Sequence, residues 1–362
     1  MKKPNETELL SQLAAGIPLG PVSLRSVRKS TRVSQELGVD AIAELESDLG
    51  RIEFLVEAKA RSTPSMFQGA LDQVRRIAGE GNRLPLVLLP YLSEQQLNQL
   101  EEVGVSGVDL CGNGVVTVPG TLLVYRTGNK NKFPDSAPTK YAYRGKTSLV
   151  ARVFLLKSCF SSYAEIEETI SARAGSVAVS TISKAIKRLE EDLIVERGEE
   201  LIRLRQADKL LDQLAKSFVE PKVTRSMRFS LSCSLAEFFA DDFFRDEKNS
   251  SKVVLSGASS VSRYAVMGSN EWPVLYCRNV DRLLSTSAQS KMEQAERFVD
   301  LEIQETADAT VYFDVRRDGD GVPFASPIQS YLELQAGDKR QKEAAKQIRD
   351  VILNAAEALE ET

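Results

Sequence analysis

The chain has 362 residues, 42% hydrophobic and 27% charged, with a formal net charge of -4; this is the make-up of a soluble globular protein with room for two or three domains. It contains no histidine, which excludes Ser-His-Asp and Cys-His catalysis and zinc sites that need imidazole, so any hydrolytic chemistry must use carboxylates, lysine and an oxygen-bound metal. Cys111, Cys159, Cys233 and Cys277 form no Cys-x-x-Cys pair, no apolar run is long enough for a bilayer, and the basic start Met1–Glu6 has no apolar segment behind it; a reduced, cytoplasmic protein without signal peptide or membrane contact is expected.

In chain order, Val39–Leu45 reads as a strand and Glu46–Arg51, with Asp48 and Gly50, as a tight reversal. A second strand follows over Ile52–Arg61, where Ile52, Phe54, Val56 and Ala58 alternate with Glu53, Leu55, Glu57 and Lys59, the period of a strand with one buried face. Glu57 and Lys59 then project from one side, and the hairpin brings Asp40 close to both, within one residue of register. Two carboxylates and an ammonium converge, a set able to hold a hard cation and to stabilise charge on a phosphate. Pro64–Ala78 reads as a helix carrying Gln68 and Gln73, and Leu84–Leu89 as a short apolar strand. Ser93 opens a helix with Gln96 in a capping box and Gly104 at its end. Strands are expected around Val105–Leu110, Val115–Val118 and Leu122–Tyr125.

The Asp40…Glu57-x-Lys59 arrangement, with this order of strands and helices, resembles the PD-(D/E)xK restriction-endonuclease-like superfamily. The resemblance implies that Asp40 and Glu57 bind Mg²⁺ or Mn²⁺, that the Ala58 carbonyl adds a ligand, and that Lys59 positions the attacking water. It also implies that Gln73 or Gln68 orients substrate. The residues alone also admit an ordinary α/β domain with a surface ion pair.

Between Tyr125 and Lys157 lie Arg126, Lys130, Lys132, Lys140, Arg144, Lys146, Arg152 and Lys157, against the single acid Asp135. Gly128, Asn129, Asn131, Pro134 and Pro138 make the first half a linker. With Tyr141 and Tyr143 interleaved, the stretch either tracks a phosphate backbone or is a solvated connection. Helical spacing follows over Leu149–Leu156. Ser162 caps a second helix through Ile166 and Ile170, Gly175-Ser176 turns, and a third helix starts at Val177 or Ser180. Ile194–Arg197 and Leu201–Leu204 flank Gly198-Glu199-Glu200 as a hairpin. Three helices and a hairpin follow the winged helix-turn-helix plan. Ser180, Thr181, Ser183, Lys184 and Lys187 suit contact with bases or phosphates in a major groove, and Arg188 suits either that or capping the domain. The many acids nearby also admit a winged helix used for protein contacts.

A helix runs through Leu210–Phe218, and Pro221 marks a boundary. Beyond it, Ser230–Phe244 and Val261–Met267 read as helical, and Val274–Cys277, Phe298–Ile303 and Thr310–Phe313 as strands. Asp314, Asp318 and Asp320, with Gly319 and Gly321, read as a loop. Lys342–Glu360 reads as an amphipathic helix whose stripe of Ala345, Ile348, Val351, Ile352, Ala355 and Leu359 either joins Ser326–Leu334 in a dimer or partner interface or packs on its own domain. The expected organisation is α/β and multidomain: a nuclease-like domain over 1–128, a basic linker over 129–145, a winged helix over 146–220 and an α+β domain over 221–362.

Val254–Ser260 and Ser326–Leu334, together with Pro90-Tyr91-Leu92-Ser93 and Val108–Asn113, resemble AbiEi-type antitoxin regulators. That resemblance implies a bacterial DNA-binding regulator, double-stranded DNA and a cognate toxin as partners, and a C-terminal domain related in shape to nucleotidyltransferases. The Gly-Ser with paired downstream aspartates that a transferase needs is not recognisable, so no transferase activity is expected. Two functions stay open: a transcriptional regulator that selects a DNA site, expected as a homodimer on two half-sites, and a metal-dependent DNA endonuclease targeted by its winged helix.

Overall fold

The computed structural model describes residues 4–20, 22–29, 38–46, 52–78, 83–133, 142–241, 244, 252–268 and 272–358. The chain is an α/β protein with mixed sheets and divides into two compact units, 1–140 and 141–362.

The first unit is built on an eight-stranded sheet whose strands lie side by side in chain order. They are β1 (Ile17–Leu19), β2 (Val22–Lys29), β3 (Ala41–Glu46), β4 (Ile52–Ala58), β5 (Leu84–Leu89), β6 (Ser106–Asp109), β7 (Gly114–Val118) and β8 (Leu122–Arg126). Among the described residues three helices accompany them: α1 (Glu6–Ala15), α2 (Pro64–Ala78) and α3 (Glu94–Glu102). β4, β5 and β6 are parallel and the other neighbours antiparallel. Parallel neighbours need crossovers, which α2 and α3 supply.

Helices therefore cover both faces. Leu9 and Leu13 of α1 pack with Phe54, Val56 and Ala58, while Phe67, Leu71 and Val74 of α2 pack with Leu55 and Val87. The single buried face expected of β4 is corrected: Phe54 to Ala58 are all buried, because the strand is central and clad on both sides.

The ends of α3 follow from its sequence. Ser93 and Gln96 close a capping box, and past Val103 the Gly104 N–H bonds Glu101 O at 3.0 Å while the Val105 N–H bonds Leu100 O at 2.9 Å. This 5→2 and 6→1 pair places Gly104 in the left-handed region, φ +66°, where a Cβ would be strained.

The second unit opens with α4 (Ser148–Phe154), β9 (Cys159–Phe160), α5 (Tyr163–Ser171), α6 (Val179–Glu191), β10 (Val195–Arg197), β11 (Ile202–Leu204) and α7 (Ala207–Ser217). The three short strands pair in the order β10-β11-β9. Between α5 and α6 the positive φ, 60°, falls on Ala174. Gly175 is required for room, since a Cβ there would sit 2.5 Å from Ile170 Cγ2.

The remainder is a seven-stranded mixed sheet, order β15-β12-β16-β14-β13-β18-β17. Its strands are β12 (Val223–Leu231), β13 (Val253–Leu255), β14 (Val274–Cys277), β15 (Met292–Gln294), β16 (Leu301–Thr306), β17 (Arg316–Arg317) and β18 (Pro323–Phe324); its helices are α8 (Leu235–Phe239), α9 (Val280–Leu284), α10 (Pro327–Ala336) and α11 (Lys339–Ala358). Leu149, Phe154, Ile182 and Leu211 share one core with Tyr331, Leu334, Ala345 and Ile348.

Several expectations for this unit are corrected. Ser230 and Leu231 end strand β12, and of the helix expected over Ser230–Phe244 the described residues show α8, with Phe244 helical apart from it. Val261–Arg263 is a single 3₁₀ turn rather than a helix to Met267. Thr310–Phe313 is not a strand: Ala309–Tyr312 is 3₁₀, because the Asp308 carboxylate accepts the Thr310 N–H at 2.9 Å and starts a turn. Phe298 stands outside its expected strand, 93% exposed with φ 55°. The stripe of α11 packs inside its own unit through Ala345, Ile348 and Ile352, whereas Val351 and Ala355 are exposed and Leu359 lies outside the described residues. Ser326 to Leu332 are buried as well, so of the two roles read for these segments the structure shows packing within the unit.

Candidate functional site

The β3–β4 hairpin sets the first candidate site. Ala41 lies opposite Val56, which puts Asp40 across from Glu57. The Asp40 N–H donates to Val56 O at 3.1 Å, and the Ala58 N–H donates to Asp40 Oδ2 at 2.8 Å. Glu57 shares the α2 face of β4 with Leu55, at the carboxyl end of a parallel strand. Ligand sites of parallel sheets gather at that edge.

Glu57 is 1% exposed. Its Oε1 pairs with the Lys59 ammonium, and its Oε2 is buried without a hydrogen-bond partner. Burial pushes its carboxyl above the ordinary value and Asp40 adds to the rise, while the Lys59 hydrogen bond opposes both. Burial would lower the Lys59 ammonium, but Glu57 and Asp40 outweigh it and hold it up. A buried carboxylate with one orphaned oxygen costs free energy unless something satisfies it.

A hard cation fits that donor set. Glu57 Oε2 and the Asp40 oxygen not bonded to Ala58 are both acceptors, and Mg²⁺ is held by one or two carboxylates together with water. Among the described residues no group of three or more His, Cys, Asp or Glu gathers to hold a metal, so the carboxylates offered here are the pair, beside the Ala58 carbonyl that the resemblance implies.

Of the two glutamines, Gln73 lies beside the hairpin, donating to Gly38 O at 3.3 Å. Gln68 is engaged elsewhere, donating to Asp72 at 2.8 Å and accepting from Gln99 of α3 at 3.2 Å. One acid was not anticipated. Glu6, at the start of α1, is close enough to act electrostatically on both Glu57 and Lys59. The signal was present, since Asn5-x-x-Glu8 is a capping box that announces α1.

The second candidate site is α6. Ile182, Ala185, Ile186 and Leu189 are buried, which turns Ser180, Lys184 and Lys187 outward, exposed, and leaves Thr181 and Ser183 half-buried. Arg188 points to the helix end, pairing with Asp192 at 2.9 Å and Glu191 at 3.9 Å. On the adjoining hairpin, Ile202 and Leu204 face inward and Arg203 outward. Arg205 pairs with Glu196 at 2.6 Å, Arg197 donates to the Tyr163 hydroxyl at 3.0 Å, and Glu199 and Glu200 make the tip acidic.

The basic run between residues 125 and 157 is not one surface. Arg144 and Lys146 are exposed at the 3₁₀ turn Gly145–Thr147, which touches α6. Arg152 is 3% exposed and donates to Gln329 at 2.7 Å and Thr310 O at 3.2 Å, and Lys157 pairs with Glu165. Tyr143, read as interleaved with the basic residues of a phosphate-tracking stretch, is buried and donates to Asp192 at 2.6 Å. Asp135, Pro138, Lys140 and Tyr141 lie outside the described residues.

No described helix is long and apolar enough to cross a membrane. No protein-family model, curated protein or solved structure matches the chain.

Proposed function

We propose that the chain is a DNA-binding transcriptional regulator that reads a duplex through a winged helix-turn-helix made of α4, α5, α6 and the β10–β11 hairpin. The observation that carries this reading is the division of α6 into a buried apolar stripe and an outward row of Ser180, Lys184 and Lys187. A helix presented this way can enter a major groove, its hydroxyls and ammonium groups meeting base edges and phosphates. Arg144, Lys146 and Arg203 add exposed cations on neighbouring elements. The likeness of Val254–Ser260 and Ser326–Leu334 to AbiEi-type antitoxins supports placing it among regulators that meet a cognate toxin and bind DNA as homodimers.

A mobility-shift titration of the full chain tests this. The parent should bind duplex with an affinity that falls steeply with salt, because phosphate contacts release counterions. Lys187→Glu should bind at least about tenfold more weakly, because it sets a carboxylate against phosphate. Equal binding by the two would remove α6 as the reader.

A second reading is favoured by the orphaned Glu57 Oε2. On it, the first unit is a PD-(D/E)xK-like, metal-dependent DNA endonuclease directed by the winged helix. Asp40 and Glu57 would hold Mg²⁺ or Mn²⁺, which when bound neutralises charge on a phosphate. Lys59, tethered by Glu57, would place a water, and Gln73 would order the loop that precedes Asp40. Nicking of supercoiled plasmid that is lost in both Lys59→Ala and Asp40→Ala supports this reading. A parent that cuts no form of DNA leaves the regulator alone.

A further inference from the structure

A strand at the edge of a sheet carries backbone N–H and C=O groups with no neighbour, and proteins blunt such edges with short strands, proline, bulges or charge. Among the described residues the edges of this chain are blunted in these ways, with one exception. β1, at one end of the eight-stranded sheet, has three residues and carries Pro18. In the winged helix β9 has two residues and β10 three. In the seven-stranded sheet β15 has three, and β17 is Arg316-Arg317 alone. β12 runs on past its short pairing with β15, and there it has a bulge between Val223 and Arg225 and the cations Arg225 and Arg228. The exception is β8, the other end of the eight-stranded sheet. Its five residues contain no proline, pair with β7 without a shift of register, and carry one charge, Arg126, at the last position.

β8 is also apolar where it meets solvent. Leu122 and Val124 turn to the core that includes α1, while Leu123 is 56% exposed and Tyr125 37% exposed. These two share the α3 face, because the Tyr125 hydroxyl donates to Asn98 of α3 and side chains two apart on a strand point the same way. A flat apolar edge of this kind is a template for a further strand.

We propose that β8 pairs antiparallel with β8 of a second copy of this chain, joining two eight-stranded sheets across a two-fold axis at Val124. The sequence of the strand fits that occupant. With Val124 facing its equivalent, Leu123 lies opposite Tyr125 of the second copy and Tyr125 opposite Leu123, so each exposed apolar side chain covers another. Leu122 lies opposite Arg126, and no like charges meet within the strand pair. A slip of one residue turns the second copy over and sets Leu123 against Arg126. Glu94 and Glu101 of α3 act electrostatically on the Tyr125 hydroxyl, so both copies bring acids to the rim of the joint. Salt screens that repulsion, and association strengthens as salt is added, the reverse of duplex binding. The pairing does not rest on the DNA-binding reading.

Sedimentation of the full chain over a concentration series tests this. The parent should form a dimer, more of it at higher salt. Leu123→Lys places an edge-blunting cation at an exposed position; it should keep the parent's circular dichroism spectrum and weaken the dimer at least about tenfold, since two Leu123–Tyr125 pairs are lost. Val124→Cys, mildly oxidised, should give a cross-link between the two introduced thiols, mapped by mass spectrometry, because facing residues of paired strands stand within disulfide reach. A monomeric parent overturns the proposal, and protection of its β8 amides from hydrogen exchange would then assign the edge to a segment of the same chain. A dimer that Leu123→Lys leaves intact, and that gives no such cross-link, overturns it by placing the interface elsewhere. None of these results bears on duplex binding, which Lys187→Glu reports separately.

Discussion

The Asp40 carboxylate takes the main-chain N–H of Ala58 at 2.8 Å, across the strand pair and one residue beyond Glu57. That bond gives Asp40 a fixed orientation at the strand end and occupies only one of its oxygens. On the neighbouring strand, Lys59 occupies one oxygen of Glu57 and leaves the other buried without a partner. The hairpin thus holds two carboxylates in place with one open oxygen each. A structural ion pair would gain nothing from keeping Glu57 1% exposed and half satisfied.

A cation should therefore bind the folded chain and stabilise it. Saturating Mn²⁺ should raise the melting temperature of the parent, since ligand at a hundred times its Kd is worth ~2.7 kcal/mol. Asp40→Asn and Glu57→Gln should show no rise. Without metal, Glu57→Gln should melt no lower than the parent, because it removes a buried charge whose pKa is already pushed up. A Mn²⁺ shift that persists in both variants would place the cation elsewhere.

Asp109 should be a stability residue of the first unit. It is fully buried and accepts four hydrogen bonds. Asp109→Ala strands those donors, at ~1–3 kcal/mol for each group left unsatisfied, so a loss of ~3 kcal/mol or more in urea unfolding is expected. A loss below ~1 kcal/mol would show that water replaces the carboxylate.

Glu333 should make the second unit sensitive to pH. Burial raises its carboxyl from 4.5 to about 7, opposed by hydrogen bonds from Gln329, Ala258 and Gly257 and by Arg152. The folded value lies above the unfolded one, so its contribution is full below 4.5 and is lost as pH rises through about 7. Urea midpoints at about pH 5 and about pH 8 should differ less in Glu333→Gln than in the parent. An unchanged difference would assign the pH response to other groups.

Much of this was legible where local pattern and tertiary role agree. The Ser93–Gln96 box and the period of α6 mark elements that fold as their sequences suggest, and Ile52–Ala58 forms its strand although the strand is buried on both faces. What was not legible depends on distant contacts. Tyr143 reads as part of an exposed basic stretch until Asp192, 49 residues on, takes its hydroxyl. Arg152 looks like a phosphate ligand until Gln329, 177 residues on, buries it. Thr310–Phe313 is apolar enough for a strand, and only the Asp308 cap turns it into 3₁₀. β12 was missed because most of its residues are exposed, so it carries little alternation. Glu6 was missed because the helix that carries it was passed over, although Asn5 and Glu8 mark its start.

The central claim, that α6 selects a DNA site, is tested most directly by selection from a pool of random duplexes with the full chain. The parent should enrich one sequence over successive rounds, and Lys184→Ala combined with Lys187→Glu should enrich none, because base contacts specify and those two ammonium groups are the outward cations of α6. No enrichment by the parent, or the same sequence enriched by the double variant, would contradict it.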